Sequence, residues 1–434
     1  MLRQTKAALI LGALSLFILF SLASFFYIVF GGWPSGNLSL VFYNAGRLSG
    51  LIGILCLGLL IISGETARFF DRFFGMDTII KTQRKFSLVT AFFVILHPVF
   101  FILSHQSWAA YLLPDFTQIP LVLGTLSLYM FIIIMIASQL YKRISHAVWQ
   151  YLHILTYILF FTAMSHSFNI GSSVGSPALA VVFGVLWLGF FTGVIYRTTY
   201  KIRQRRSNKY VVDRVQWRTH DTFTLSLRPK TGKKLNYKAG QFCFLRVKRD
   251  RLYARHPFTI SNAPHEETLD FTIKLDGRFT KMASILESGD EVFVEGPYGI
   301  FTVDETQKNN IVFVAGGVGV TPFFSIINDH VQRKKYQNIT LLYGSKTSRD
   351  IIFKDELESM SQKYDWLQVI SVLSAERHDP YKHGYINEGL LKEHVKPNTT
   401  FYICGPEPMK DAVVAALKNL GVNKKHIRIE SFFW

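Results

Sequence analysis

A chain of 434 residues that is 49% hydrophobic and 15% aromatic, with 38 Phe and only 18% charged residues, is too long for one small domain. It is also too apolar for disorder or for an average soluble protein, in which about 25% of residues are charged. The formal charge of +18, from 48 Lys and Arg against 30 Asp and Glu, suits nucleic acid or a membrane rim, and only its placement separates the two.

Six apolar windows of spanning length lie at about 7–30, 42–63, 86–106, 119–140, 149–169 and 177–196, each near the roughly 20 residues of helix a bilayer needs. The first begins beside Lys6 without a small-residue processing site and is read as a retained helix. Charge alternates between the connections. Arg68, Arg72, Lys81, Arg84 and Lys85 follow the second window, Lys142 and Arg143 the fourth, and Arg197, Lys201, Arg203, Arg205 and Arg206 the sixth. The loops near 31–41, 107–118 and 170–176 contain no Lys or Arg. This asymmetry predicts an inner or plasma membrane protein with both termini and everything after the sixth helix in the cytoplasm. Trp33 and Trp108 fall near the outer interface and Trp149 near the inner one. The positive charge therefore points to lipid and not to nucleic acid.

Beyond about residue 208 short alternating runs at 211–212, 222–227, 241–247, 269–275 and 291–295 predict an antiparallel sheet or barrel. From 311 onward buried-type strands at 311–315, 339–343, 368–372 and 400–404 alternate with helical stretches, which predicts a parallel α/β domain. The expected division is a membrane domain over 1–206, a barrel over 207–306 and an α/β domain over 307–434. Cys56, Cys243 and Cys404 are far apart and form no CxxC pair, so no disulfide framework, zinc or iron–sulfur pattern is present.

Three histidines fall at membrane depth, where an imidazole needs a polar or metal partner. At about 1.5 Å per residue from the cytoplasmic helix ends, His153 is roughly 6 Å deep, His97 roughly 20 Å and His166 roughly 25 Å. Two neutral imidazoles from different helices, such as His97 and His166, are what a low-spin haem iron takes as axial ligands. The 13-residue step from His153 to His166 is about 140° away from one helical face. His146, beside Lys142 and Arg143, reads as interfacial, and His105 reads as a helix end near the outer surface.

Two further groups of motifs carry cofactor chemistry. In RHPFTISN at 255–262, Arg255 offers a guanidinium for a flavin phosphate and Thr259 a hydroxyl for the isoalloxazine edge, bracketed by His256, Pro257 and Phe258. The GRFT turn, with Gly277, Phe279 and Thr280, supplies backbone donors suited to a pyrophosphate. After the strand at 311–315 comes GGVGVTP, in which Gly316, Gly317 and Gly319 permit close approach of a dinucleotide before Thr321 and Pro322 open a helix. A second loop, Cys404, Gly405 and Pro406, follows a later strand at the carboxyl edge, with Cys404 beside the nicotinamide hydride path or a buried thiol. Lys346 and Arg349 can pair with a 2'-phosphate, which favours NADPH over NADH, and Trp434 can stack on the flavin until nicotinamide displaces it.

On His97-Pro98, the histidines His153 and His166, HPFT at 256–259, GGVGVTP and Cys404-Gly405-Pro406, the chain resembles the NADPH oxidase and ferric reductase family of transmembrane flavocytochromes b over about 41–434. The resemblance implies a six-helix haem-binding bundle, a ferredoxin reductase-type FAD barrel and an α/β NAD(P)-binding domain. It implies electrons passing from NAD(P)H to FAD and on through b haems, with His97, His153 and His166 as iron ligands, to an acceptor across the membrane. The sequence differs at one place: the histidine that the family carries 14 residues before His97, as partner to His153, is Gln83 here. One or two haems are therefore expected. Short outer loops without a metal-ligand cluster favour oxygen as acceptor, giving superoxide, with a ferric or cupric chelate as the alternative. A membrane-anchored flavin or quinone reductase and a non-enzymatic haem protein are the other readings. No obligate protein partner is evident.

Overall fold

The structure, a computed structural model, describes residues 2–30, 37–140, 146–170, 175–207, 209–232, 234–247, 255–303, 310–334 and 337–430. Trp434, Trp33, Lys142 and Arg143 lie outside the described residues, as do the side chains of His146, Trp149, Lys201, Arg203, Arg205 and Arg206. The chain divides into two units, Met1–Lys201 and Ile202–Trp434.

The first unit is helical: α1 Leu2–Phe30, α2 Leu38–Phe74, α3 Met76–His105, the single turn α4 Ala109–Leu112, α5 Ile119–Gln139, α6 His146–Asn169 and α7 Pro177–Ser207. Among the described residues α1, α2, α3, α5 and α7 are long and apolar enough to cross a membrane. The sixth expected span, 149–169, lies inside α6. That helix has 24 residues, long enough to cross a bilayer.

The turn between α2 and α3 is built by two residues. Gly75, at φ 80°, reverses the chain and donates its N–H to the Asp71 carbonyl at 2.8 Å, while the Asp71 carboxylate accepts from the Met76 N–H at 2.7 Å. From there one antiparallel register runs the length of the pair. Gly64 faces Gln83, Gly53 faces Val94, Gly50 faces His97 and Gly46 faces Phe101. Small residues let helices approach closely where lipid offers no hydrophobic driving force. The α5 and α6 helices pair likewise, with Ser127 Oγ donating to Thr162 Oγ1 at 2.7 Å. The two pairs meet where α2 packs on α6, in a common core that includes Ile54, Leu55, Phe131, Ile134, Leu159 and Phe160.

The second unit begins with a six-stranded antiparallel sheet: β1 Lys209–Trp217, β2 Thr222–Pro229, β3 Phe242–Val247, β4 His256–Thr259, β5 Leu269–Lys274 and β6 Glu291–Tyr298, with the short helix α8 Arg278–Ala283. The order is β4-β3-β6-β1-β2-β5. Phe223, Leu225, Leu227, Phe271 and Ile273 are all fully buried at its centre, each contributing about 1.5–3 kcal/mol.

A parallel sheet follows: β7 Ile311–Gly316, β8 Ile339–Ser345, β9 Leu367–Leu373, the two-residue β10 Lys382–His383, β11 Thr400–Cys404 and β12 Ile427–Glu430, in the order β10-β9-β8-β7-β11-β12. Its helices are α9 Thr321–Gln332, α10 Lys354–Lys363, α11 Glu388–Lys392 and α12 Glu407–Asn419. Every strand run expected from the sequence is present. The sequence did not signal β4, β10 and β12, which are two to four residues long. The two sheets are joined across their boundary by Ser325 Oγ donating to the Asn262 carbonyl at 2.7 Å and by Arg218 to Glu356 at 2.7 Å.

Candidate active site and intramembrane imidazole pair

In the parallel sheet the strand order reverses between β7 and β11, and ligands of open α/β sheets bind at that crevice beyond the carboxyl ends. Both sequence-predicted loops meet there. GGVGVTP leaves β7 as a single 3-10 turn, Gly317–Val320, and enters α9, where Thr321 Oγ1 donates to the Val318 carbonyl at 3.0 Å. Cys404-Gly405-Pro406 leaves β11 and enters α12. The loops touch through their glycines. A Cβ on Gly319 would stand 2.3 Å from the Cys404 carbonyl oxygen, and one on Gly405 3.0 Å from the Gly316 nitrogen. Gly317, at φ 53°, instead faces open space.

Cys404 is buried at the end of β11. Burial pushes its thiol well above the usual range, reinforced by the Glu430 carboxylate, and burial beside Glu295 does the same for Cys243. A raised thiol pKa means that almost no thiolate forms at pH 8. A thiol titration of the native protein at pH 8 is therefore expected to find Cys56, Cys243 and Cys404 slow, with all three reacting once the chain is unfolded. Rapid modification of Cys404 in the folded protein would show it to be an accessible thiolate.

Lys346 follows β8 and Arg349 lies in a short turn capped reciprocally by Thr347 and Asp350. The tertiary structure adds an acid that the sequence did not point to. Glu376, after β9, accepts from the Ser348 N–H at 2.6 Å and the Ser348 hydroxyl at 3.3 Å, and these bonds hold its carboxyl below the usual range.

In the barrel, strand alternation divides RHPFT between two faces. His256 and Phe258 stack on Phe279, with ring centroids at 4.0 and 5.8 Å. Arg255, Pro257 and Thr259 lie on the other face. Arg255 pairs with Glu295 at 3.1 Å, and the Tyr298 hydroxyl donates to the same carboxylate at 3.0 Å. Gly277, at φ 94° with open space where a Cβ would sit, precedes α8, and Thr280 Oγ1 accepts from the Asp276 N–H at 2.7 Å. Glu295 is 6% exposed, so Glu295→Ala removes the carboxylate that Arg255 and Tyr298 share from a buried site. Denaturant unfolding is expected to show a loss of about 3 kcal/mol. A loss below about 1 kcal/mol would mean that Arg255 finds solvent instead.

In the helical unit, the His97 and His166 rings approach with centroids 6.1 Å apart. Each ring is tied from behind: His97 Nδ1 lies 2.8 Å from the Gly46 carbonyl and His166 Nδ1 2.8 Å from the Pro120 carbonyl. A carbonyl only accepts, so each Nδ1 carries the proton and each Nε2 keeps its lone pair, the tautomer a metal ligand needs. Gly50 and Gly124 leave room for the imidazoles, since a Cβ there would stand 2.4 Å from His97 Nδ1 and 2.7 Å from the His166 ring. Metal–imidazole bonds of about 2 Å place two rings on one metal with centroids roughly 6 Å apart. Among the described residues no group of three or more His, Cys, Asp or Glu is arranged for a bare ion. Two neutral imidazole nitrogens from different helices are a donor set that would fit haem iron. Gly46, Gly50, Gly124 and the two carbonyls escaped sequence reading, because nothing local shows which glycine faces which histidine.

Comparison with known families places these sites in a class. Residues 207–302 match an FAD-binding domain, 313–415 an oxidoreductase NAD-binding domain, and 49–164 a ferric reductase like transmembrane component. The chain is a multi-pass membrane protein carrying the FAD- and NAD-binding components of an NAD(P)H-dependent oxidoreductase. Its domain order is the architecture of the NADPH oxidase and ferric reductase-like flavocytochromes. Among curated relatives, one component of the Na(+)-translocating NADH-quinone reductase of Haemophilus ducreyi is 32% identical over 165 residues, 36% of this chain and 40% of that protein. The plasma membrane-associated coenzyme Q6 reductase PGA3 of Saccharomyces cerevisiae is 30% identical over 201 residues, 44% of this chain and 63% of that protein. The chain thus spans less than two thirds of the length of these relatives. A flavohemoglobin from Malassezia yamatoensis, solved with bound FAD and heme, superposes with a TM-score of 0.52 over 89% of this chain and 97% of that one. At 18% identity this likeness concerns the fold alone.

Proposed function

We propose that the chain transfers electrons from cytoplasmic NAD(P)H through FAD and haem b to an acceptor on the opposite membrane face, with oxygen as acceptor and superoxide as product. The balance is one NAD(P)H and two oxygen molecules giving NAD(P)+, one proton and two superoxide ions. The observation that carries the reading is the His97–His166 pair, two tautomer-locked imidazoles facing each other at 6.1 Å inside a membrane helix bundle.

FAD, when bound, supplies the conversion of a two-electron hydride into single electrons, and haem b the one-electron relay across the bilayer. The residues bind and orient. Thr259 and the backbone at Gly277 and Thr280 hold the flavin, with Arg255 offering its guanidinium to the flavin phosphate while Glu295 fixes its position. Gly316, Gly317 and Gly319 admit the nicotinamide dinucleotide to the N-terminus of α9, and Gly405 and Pro406 close the other wall. Cys404 sits at the nicotinamide end as a neutral thiol. Orientation follows the positive-inside rule, and the protons released from NAD(P)H stay on the cytoplasmic side.

Lys346 and Arg349 recognise the 2'-phosphate of NADPH. The double substitution Lys346→Ala, Arg349→Ala is expected to raise KM for NADPH about 10-fold, near 1.4 kcal/mol, and to leave NADH within about 2-fold. Equal effects on both cofactors would remove the phosphate assignment.

The overall reading is tested with purified protein in sealed vesicles. NAD(P)H added on the side of the soluble unit should reduce haem and yield superoxide, scavenged by superoxide dismutase on the opposite side. Anaerobic reduction of a ferric chelate that outpaces oxygen would make the metal chelate the acceptor instead. Flavin oxidation that never reaches haem would leave a reductase confined to one face.

A further inference from the structure

We infer, on the reading of hydride transfer from NAD(P)H to FAD given above, that Ser325 and Arg218 are positioning residues for that step. They fasten the dinucleotide helix α9 to the flavin barrel at two consecutive residues, Phe324 and Ser325.

The hydride leaves C4 of the dihydronicotinamide and arrives at flavin N5, so the nicotinamide is oxidised and the flavin reduced by two electrons. Such transfer depends steeply on placement, and an error of about 1 Å can cost about 100-fold. The nicotinamide dinucleotide belongs to the loop and helix after β7, and the flavin to the barrel. Whatever fixes α9 on the barrel therefore fixes their approach.

The first fastening is direct. Ser325 is fully buried, and its Oγ donates to the Asn262 carbonyl at 2.7 Å. Asn262 stands three residues after Thr259 in RHPFTISN, and Ser325 three residues after Pro322, the last residue of GGVGVTP. One buried hydrogen bond thus ties the two cofactor motifs together. Asn262 is itself fixed in the barrel, its Oδ1 accepting from the Asp270 N–H at 3.0 Å and its Nδ2 donating to the Thr268 carbonyl at 2.8 Å. Gly240 of the barrel lets α9 come close, since a Cβ there would stand 3.2 Å from Ile326 Cδ1.

The second fastening runs through stacked rings. Arg218, the residue after β1, donates from Nε to Thr224 Oγ1 at 3.0 Å and from Nη1 to Glu356 Oε1 at 2.7 Å. Its guanidinium lies 5.2 Å from the centroid of the Phe353 ring, within cation–π reach. Phe353 in turn lies flat on Phe324 in the first turn of α9, with centroids 3.7 Å apart and planes 4° apart. Phe353 holds φ 60°, an uncommon backbone for a bulky residue that persists only where the surroundings impose it. The strained residue is the contact that passes from a barrel cation to the dinucleotide helix.

The test uses the full-length protein purified in detergent with its FAD, mixed anaerobically with NADH or NADPH while flavin absorbance is followed. Ser325→Ala leaves the Asn262 carbonyl its bond from the Tyr237 hydroxyl at 3.0 Å, so no buried acceptor is orphaned. Arg218→Gln removes the cation, while Arg218→Lys keeps a charge towards Glu356 and guards against misfolding. Ser325→Ala and Arg218→Gln are each expected to lower the limiting rate of flavin reduction about 10-fold, with Arg218→Lys in between and the half-saturating nucleotide concentration within about 3-fold. Deuterium at the transferred position should slow the variants at least as much as the unaltered protein, which marks the hydride step as the one impaired. Independently of activity, amide hydrogen exchange over 321–332 should quicken in Ser325→Ala and Arg218→Gln, with FAD content and exchange in β2 and β5 unchanged. An unchanged limiting rate, an effect confined to the half-saturating concentration, or a slowing that only follows lost FAD would overturn the inference while leaving the hydride reading intact. Flavin in the unaltered protein that neither nucleotide reduces would remove both.

Discussion

His97→Ala and His166→Ala are each expected to abolish the low-spin haem signal and to lower transmembrane electron transfer by at least about 100-fold. Outer partners of a metal ligand already cost 10–100-fold, and these residues supply the lone pairs themselves. Each imidazole is held by a backbone carbonyl, from Gly46 or from Pro120. Among the described residues no third His, Cys, Asp or Glu is grouped with the pair to take over a lost position.

The same geometry predicts a second pair of variants. Gly50→Ala and Gly124→Ala put a methyl group 2.4 and 2.7 Å from the ligating rings, closer than any real contact. Both should lose most of the haem while the helices still form, because alanine is a better helix residue than glycine. Reduction of an artificial dye by NAD(P)H at the flavin should survive in all four variants within about 2-fold. Haem absorbance and dye reduction measured on the same samples decide the matter: loss of both would place these residues in overall folding, and retention of haem would displace the proposed ligands.

Gly319→Ala is expected to be strongly damaging to the dinucleotide-binding loops. Its added Cβ would lie 2.3 Å from the Cys404 carbonyl oxygen, a backbone atom that cannot swing aside. The β7 and β11 loops must then separate where the dinucleotide enters. A stability loss of about 3 kcal/mol, a fall of roughly 6–12 °C in Tm, should accompany a large rise in KM for NAD(P)H. Gly317→Ala is the control. Open space surrounds that position, so only its left-handed backbone opposes alanine, at about 1 kcal/mol. Calorimetry and steady-state kinetics on the two variants separate a blocked loop contact from general sensitivity to loss of glycine.

Much of the fold was legible because its signals are local. Apolar length marks spanning helices, alternation marks the barrel strands, and four-to-six-residue apolar runs punctuated by glycine mark the parallel sheet. α6 was legible as a helix from the same apolar length. The short strands β4, β10 and β12 escaped because two to four residues carry no usable period.

The sites divide in the same way. RHPFT and GGVGVTP are contiguous, so their residues could be named in advance. Their partners could not. Glu295 reaches Arg255 across 40 positions, and Glu376 reaches Ser348 across 28. The Glu65–Tyr157–Arg197 cluster links positions up to 132 apart, and only helix packing brings them together.

By itself the sequence determined the membrane-plus-reductase plan, the positions of the cofactor motifs and the depth of the histidines, because hydropathy, glycine placement and helical rise are properties of neighbouring residues. The tertiary structure alone decided which carbonyls fix the tautomers of the His97–His166 pair and which glycines make room for it. Those choices depend on the register between helices distant in the chain. That register is set by side-chain volume across the helix pairs, where Gly50 meets His97 and Gly64 meets Gln83.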